Sequence, residues 1–367
     1  MGDIDVPGVA RPMGMRLLIL PRYCRLGASS RLRMMQYLPW LEAAGIEVTI
    51  APFFDDGYLE RLYCGRKPGF RAASYYLKRI RQLRRASPPD LIWLEKEVLP
   101  WLPAGMEQWL LPAEIPVVSD YDDAIFHRYG LHRSLGIRRV LGRKIDHVMA
   151  RSALVLAGNP YLAARAVSAG TPRVEIVPTV VDISAYDAAH LHAEDGMARI
   201  GWIGTPSTWR QYMEPMMPML SQLARESGAK LRAVGAGATL TPELEVMPWA
   251  ENTESALIQG MDIGLMPLDD TPWSRGKCGY KIIQYMACGL PVVASPVGVN
   301  SDIVEDGVTG FLASTPAEWR QAIARLLRDP ELRHRMGSAG RRRVEERYSL
   351  QVWGPRVADL LHSAVRP

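Results

Sequence analysis

The chain has 367 residues, 48% of them hydrophobic and 23% charged, with a formal net charge of +5. That length exceeds what one hydrophobic core serves, so two domains of comparable size are expected, and the composition excludes a disordered or disulfide-stapled protein. No apolar run approaches the roughly 18 residues of a membrane-spanning helix, and the acidic start Met1–Asp5 does not resemble a secretory signal. A cytosolic protein with Cys24, Cys64, Cys278 and Cys288 as reduced thiols follows as the expectation.

In chain order, Met15–Leu20 reads as a buried strand, Arg25–Arg31 as a loop, and the next residues through Leu41 as a helix. Strands at Ile46–Ala51, Asp90–Leu94, Pro116–Ser119, Leu154–Ala157 and Val174–Pro178, with a basic helical stretch across 71–86, continue the alternation that predicts a parallel sheet. A turn-rich segment over 182–197 precedes a fresh strand at Ala198–Gly204, and the rhythm repeats with strands near 231–235, 262–266 and 292–295 and helices from Pro316 onward. The predicted fold class is therefore α/β, with two facing, doubly wound, Rossmann-like domains over 14–190 and 191–350 and a last helix in 351–367 packing back on the first. In such sheets ligands bind beyond the carboxyl ends of the strands, so the cleft between the domains is the predicted site.

The stretch Arg275-Gly-Lys-Cys-Gly-Tyr-Lys281 and its continuation to Ser295 carries the strongest chemical signal. Read as a helix over Cys278–Cys288, it turns Ile282, Ile283 and Met286 to one side and stacks Lys277, Lys281 and Gln284 on another, while Gly276 and Gly279 allow close approach to the helix start. Two ammonium groups and an amide aimed at one spot imply an anion with polar groups attached. Gly204, Thr205 and Ser207, in Gly204-Thr-Pro-Ser-Thr208, follow a strand where an anion would be cradled, with helix capping as the competing reading. Gly27, Ala28 and Ser29, in Gly27-Ala-Ser-Ser30, hold the equivalent place in the first domain, where a plain tight turn would also explain them.

Asp120-Tyr-Asp-Asp123 with His127 lies past the fourth strand, at the same sheet edge. Asp122, Asp123 and His127 there suit hydroxyl binding or proton transfer, helix capping being the alternative. The spacing of Asp120 and Asp122 also permits a weak metal reading, but no metal site is assigned. Gly235-Ala-Gly-Ala-Thr-Leu240 lacks the third glycine of a dinucleotide fingerprint and is discounted. Trp249 is read as core, with stacking on a base as the second reading.

The first 185 residues hold 25 basic against 18 acidic side chains, and the remainder 19 against 21. Bases gather at Lys78, Arg79, Arg81, Arg84 and Arg85 and at Arg138, Arg139, Arg143 and Lys144, patches that either attract anionic lipid headgroups or are solvated helix faces. No nucleic-acid-binding module is present.

Asp262–Leu268, Lys281–Ser295 and Val304–Leu312, with Gly298-Val-Asn300 and Met336–Arg341, resemble the donor half of the family 4 glycosyltransferases, and Val177–Asp182 with the Gly27 loop fits the first half more loosely. The resemblance implies the GT-B architecture and transfer of a sugar from a nucleoside diphosphate sugar, with retention and without an obligatory metal or other cofactor. It implies that some of Arg275, Lys277 and Lys281 contact the donor diphosphate, with Lys281 stabilising the leaving group. The family's two glutamates fall at Gly276 and Gln284 here; Gln284 is left to meet the ribose, and Asp270 and Lys277 substitute for the side chain Gly276 lacks. A family histidine that contacts the sugar is represented by Asp122, Asp123 or His127. The implied acceptor is a glycan or lipid-linked intermediate of surface polysaccharide, met at the inner face of the membrane. A nucleotide-sugar epimerase and a non-catalytic scaffold are the other classes considered.

Overall fold

Leu91–Glu95 is buried from end to end, and so are Leu154–Ala157 and Arg199–Ile203, as strands covered on both faces must be. The computed structural model describes residues 14–63, 72–84, 88–186, 196–237 and 243–365. Within them the strands are β1 Arg16–Leu20, β2 Glu47–Ile50, β3 Leu91–Glu95, β4 Val117–Tyr121, β5 Leu154–Ala157 and β6 Val174–Ile176, then β7 Arg199–Ile203, β8 Lys230–Val234, β9 Leu244–Met247, β10 Ile263–Met266, β11 Val292–Ala294 and β12 Gly310–Leu312. They form two six-stranded parallel sheets, ordered β2-β1-β3-β4-β5-β6 and β12-β11-β10-β7-β8-β9. The order reverses beside β1 in the first and beside β7 in the second, and the crevice at such a reversal is where doubly wound sheets take ligands.

The α/β reading with two doubly wound sheets is what the structure has. Three local expectations need correction. The helix drawn through Leu41 is broken into Ala28–Arg33, a single turn at Met35–Tyr37 and Leu38–Ala43, because Pro39 cannot continue the hydrogen-bond ladder of the preceding turn and restarts a helix instead. β9 and β12 were not expected; they are the two edges of the second sheet, short and only partly buried, and so lack an apolar run. The late helix starts at Tyr280, not Cys278, because Gly279 takes a left-handed conformation with φ 65°. Cys64, Arg85, Leu240 and the stretch 187–195 that carries the expected boundary lie outside the described residues.

The carboxyl edges of the two sheets face each other. Asn159 Nδ2 in the first half donates to the Lys277 carbonyl at 2.9 Å, and Arg25 pairs with Glu251 at 2.8 Å. The last helix, Leu350–Val365, returns to the first sheet and buries Leu350, Val357, Ala358 and Leu361 with Leu17, Trp93 and Leu154. Among the described residues no helix is long and apolar enough to cross a membrane.

Candidate active site

On the second half, β7 ends at Ile203 and delivers Gly204 to the cleft. Thr205 caps the next turn, its hydroxyl accepting from the Thr208 amide at 3.4 Å and lying 3.0 Å from that of Ser207. The capping reading thus holds in the geometry; Thr205 also lines the cleft cavity, and Ser207 is exposed beside it. Helix Tyr280–Ala287 is pinned by Ile282, Ile283, Tyr285, Met286 and Ala287, all fully buried in the second core. Its remaining face presents Lys281 and Gln284 to a cavity of about 310 Å³, whose wall also includes Ala28 and Arg31 from the first half and Gly204, Thr205, Trp249 and Glu254 from the second.

Lys281 Nζ stands 4.3 Å from the centre of the Trp202 ring, and among the described residues no carboxylate pairs with it. Burial, with a smaller push from Lys277, lowers this ammonium to about 7. Gln284 donates to Tyr186 Oη at 3.1 Å and to Glu254 Oε1 at 2.6 Å, while Glu254 Oε2 accepts from Trp249 Nε1 at 2.5 Å. Trp249 is therefore neither free nor simply core: it packs on the second core, forms a cavity wall, and carries the Arg31 guanidinium of the first half 5.4 Å from its ring centre. Glu254, a carboxylate facing the cavity, was missed; its only signal was an acidic residue in a helix first turn, which ordinarily reads as dipole compensation.

On the first half the chain leaves β3 as Glu95-Lys96-Glu97. Glu95 turns inward to Ser30 Oγ at 2.5 Å, and Glu97 to Arg22 at 2.9 Å and Lys144 at 2.7 Å. Lys96 alone turns to the cleft, with Nζ 2.7 Å from Asp122, 3.8 Å from Asp123 and 3.5 Å from Ser29 Oγ. Its backbone is left-handed, φ 65°, a strained state for a residue with a side chain, and it is held there from both sides: its amide donates to Asp120 and its carbonyl accepts from Tyr121 Oη. Burial works against the ammonium, but Asp122, then Asp123 and Glu95, overcome it and keep the lysine protonated; reciprocally, Lys96 overcomes the burial of Asp122 and takes its carboxyl down to about 2. Lys96 was also missed, although three consecutive charges at the end of an apolar strand mark a place where polar groups are wanted.

Several predicted residues stand differently from their expected roles. Lys277 does not share a helix face with Lys281; set ahead of Gly279, it crosses to Asp123 at 3.0 Å, which holds it protonated against burial. Asp120 is fully buried and bonded to Arg33 at 2.7 Å, so it binds the first half together and does not face the cleft. With Asp120 on Arg33 and Asp122 on Lys96, the metal reading of that pair loses its ligands. His127 turns to the Tyr161 hydroxyl at 2.8 Å, and burial, then Arg165, lowers its basicity. Arg275 is engaged by Asp270 through contacts of 2.6 and 2.9 Å, both groups exposed. A Cβ on Gly276 would sit 2.5 Å from the Ala124 Cβ, so the two rims meet there with no space for a side chain. Gly27 caps the first helix, Ala28 lines the cavity, and Ser29 faces Lys96.

Residues 198–329 match the family Glycosyl transferases group 1. Over 70 residues the chain is 41% identical to human alpha-1,3/1,6-mannosyltransferase ALG2, covering 19% of this chain and 16% of that protein. Over 195 residues it is 29% identical to the D-inositol 3-phosphate glycosyltransferase of Segniliparus rotundus, covering 47% and 43%. The matched segments are thus less than half the length of these relatives. Among solved structures, sucrose-phosphate synthase from Thermosynechococcus elongatus aligns with TM-score 0.69 at 14% identity over 95% of this chain and 98% of that one. Anabaena HepE in complex with UDP and glucose aligns with TM-score 0.69 at 17% identity over 95% and 100%. The two six-stranded sheets have the GT-B fold of these structures, and residues 198–329 of this chain are similar to the group 1 glycosyl transferases.

Proposed function

We propose that the protein transfers a glycosyl group, with retention, from a nucleoside diphosphate sugar to a hydroxyl of a lipid-linked or polysaccharide acceptor of cell-surface glycan synthesis. One observation carries this reading: among the described residues Lys281 is a cation without a carboxylate, at the reversal point of a doubly wound sheet, in a cavity that also offers Gly204, the Thr205 hydroxyl and an aromatic wall. A desolvated ammonium facing a leaving diphosphate stabilises the charge that accumulates as the glycosidic bond breaks. The diphosphate lies between Gly204 and Lys281, the base against Trp249, and the ribose at Glu254 and Gln284. Asp122, kept ionised by Lys96, and Asp123 beside it receive the sugar or acceptor hydroxyls from the opposite rim. Lysine charge serves the diphosphate here without an obligatory metal. A nucleotide-bound form of HepE is among the similar structures, which makes uridine diphosphate the first ligand to try.

The test is thermal unfolding with uridine and guanosine diphosphates and their sugars, followed by transfer assays with the sugar nucleotide that stabilises most. A ligand at about 100 times its Kd adds about 2.7 kcal/mol. Stabilisation by one nucleoside diphosphate that vanishes in Lys281→Ala is the expected result. No response to any of them, or an equal response in that variant, overturns the reading.

A further inference from the structure

Six of the thirteen large apolar side chains that stand exposed among the described residues fall within 101–140: Trp109 at 94%, Leu135 at 70%, Leu131 and Val140 at 64%, Met106 at 50% and Trp101 at 42%. They lie on two helices of the first half, Ala104–Leu110 and Leu135–Leu141, and on the turns that precede them. Met106 and Trp109 are three residues apart and share a helix face. The two helices are tied at their starts. The Trp101 amide donates to Tyr129 Oη at 3.0 Å, and its ring stands edge-on to Tyr129 at 5.2 Å and His132 at 5.9 Å. Trp101 is, with Lys96, one of two non-glycine residues with positive φ among the described residues, at 65°, a strained backbone that nonetheless leaves its indole half in solvent. A core packing role would not require that.

The charge around these side chains has one sign. Between Asp123 and Asp146 the chain has no acidic residue, while it has Arg128, Arg133, Arg138, Arg139, Arg143 and Lys144. Lys144 is spent inside the domain on Glu97 and Glu107. Arg133, Arg138, Arg139 and Arg143 are exposed, and Arg138 fastens the turn to the second helix by donating to the His132 carbonyl at 2.6 Å.

We infer that this surface enters the interface of a lipid bilayer bearing anionic headgroups, with Trp109, Met106, Leu131 and Leu135 among the acyl chains and the four arginines at the phosphates. Tryptophan beside leucine and arginine on short helices is the composition that settles at a bilayer boundary. A nucleic acid would satisfy the arginines but leave the leucines and Met106 in water. A second copy of the same face would set like charges against each other. The surface is close in sequence to the candidate site: Trp101 is five residues beyond Lys96, and Leu131 eight beyond Asp123. The inference rests on the proposed lipid-carried acceptor for its purpose, and it supplies the location at which that acceptor is met.

The experiment is co-sedimentation of the full chain with vesicles of phosphatidylcholine alone and of phosphatidylcholine with phosphatidylglycerol. Binding is expected only with phosphatidylglycerol, weakened about tenfold or more both in Trp109→Ser with Leu135→Ser and in Arg138→Ser with Arg139→Ser. All replaced residues are exposed, and uridine diphosphate stabilisation of each variant reports an intact second half. Failure of the parent chain to bind either vesicle, or undiminished binding by the Trp109/Leu135 variant, overturns the inference. A concentration-dependent dimer in sizing chromatography that the same variant abolishes also overturns it, assigning the face to a second copy. Vesicle binding without any nucleotide response would instead count against the donor reading and leave the surface standing.

Discussion

The two rims of the cleft use charge in opposite ways. On the first sheet Arg33 faces Asp120, Lys96 faces Asp122 and Asp123, and Arg22 and Lys144 face Glu97, so each of these charges has its counterpart within the protein. On the second, Lys281 lies over an indole with no carboxylate against it among the described residues. Paired charges fix geometry; a cation without a counter-charge in a half-dry pocket loses basicity and gains it back when an anion arrives. Under the proposed function the first rim positions and the second binds. Lys277 crosses from one to the other through Asp123 and couples them.

The largest break in this contrast comes from Lys281→Ala. Removing one group that stabilises developing charge costs about 10²–10³-fold in turnover, so kcat in a transfer assay with the best sugar nucleotide should fall by that amount while unfolding in urea moves little. A variant with unchanged kcat would show that the second rim does not carry the leaving group.

Next in size is Lys96→Met. Taking one partner from a buried charge cluster costs about 3 kcal/mol of stability, because Asp122 must then accept a proton or remain uncompensated. The expected outcome is a lower urea midpoint and much slower transfer, with the Kd for uridine diphosphate unchanged. Equal losses in transfer and nucleotide affinity would erase the distinction between the rims.

The fold was legible because its strands are apolar runs and its loops carry glycine, proline and aspartate at the right intervals; only the edges β9 and β12, which bury too little, escaped. The site was legible where local pattern determines it: Gly204, Lys281 and Gln284 do line one cavity. Lys277 was misassigned because one left-handed residue, Gly279, uncouples it from the helix that its spacing implied. Asp120 and Asp122 are two positions apart in one segment, yet one faces Arg33 and the other Lys96, partners 87 and 26 residues away in sequence. Such long-range pairings leave no local trace, and Lys96 and Glu254 acquire their roles only through them.

A smaller effect should appear in pH dependence. The free Lys281 loses its proton near pH 7, and a diphosphate bound as proposed would raise its basicity. Below pH 7 the ammonium is already present, so binding takes up no proton and affinity is level. Above it, binding must protonate the lysine, and Kd should weaken by up to about tenfold per pH unit until the pKa of the complex is reached. Calorimetry of uridine diphosphate binding in buffers of different ionisation enthalpy should register that proton uptake in the parent chain and none in Lys281→Met.

The smallest effect sharpens the second rim itself. Gln284 spends both amide hydrogens on Tyr186 and Glu254, so whatever it offers a ribose is its carbonyl, and the nearest charged acceptor is Glu254. Glu254→Gln should then weaken uridine diphosphate about fivefold, roughly 1 kcal/mol, the scale of one hydrogen bond. The same loss would follow if Glu254 merely braced Gln284 and Trp249, so the ligand must be varied as well. With 2′- and 3′-deoxy forms of the nucleotide, a residue that bonds a ribose hydroxyl gives non-additive losses, because protein and ligand changes remove one interaction twice. Additive losses for both deoxy forms would make Glu254 a brace and leave the ribose to Gln284.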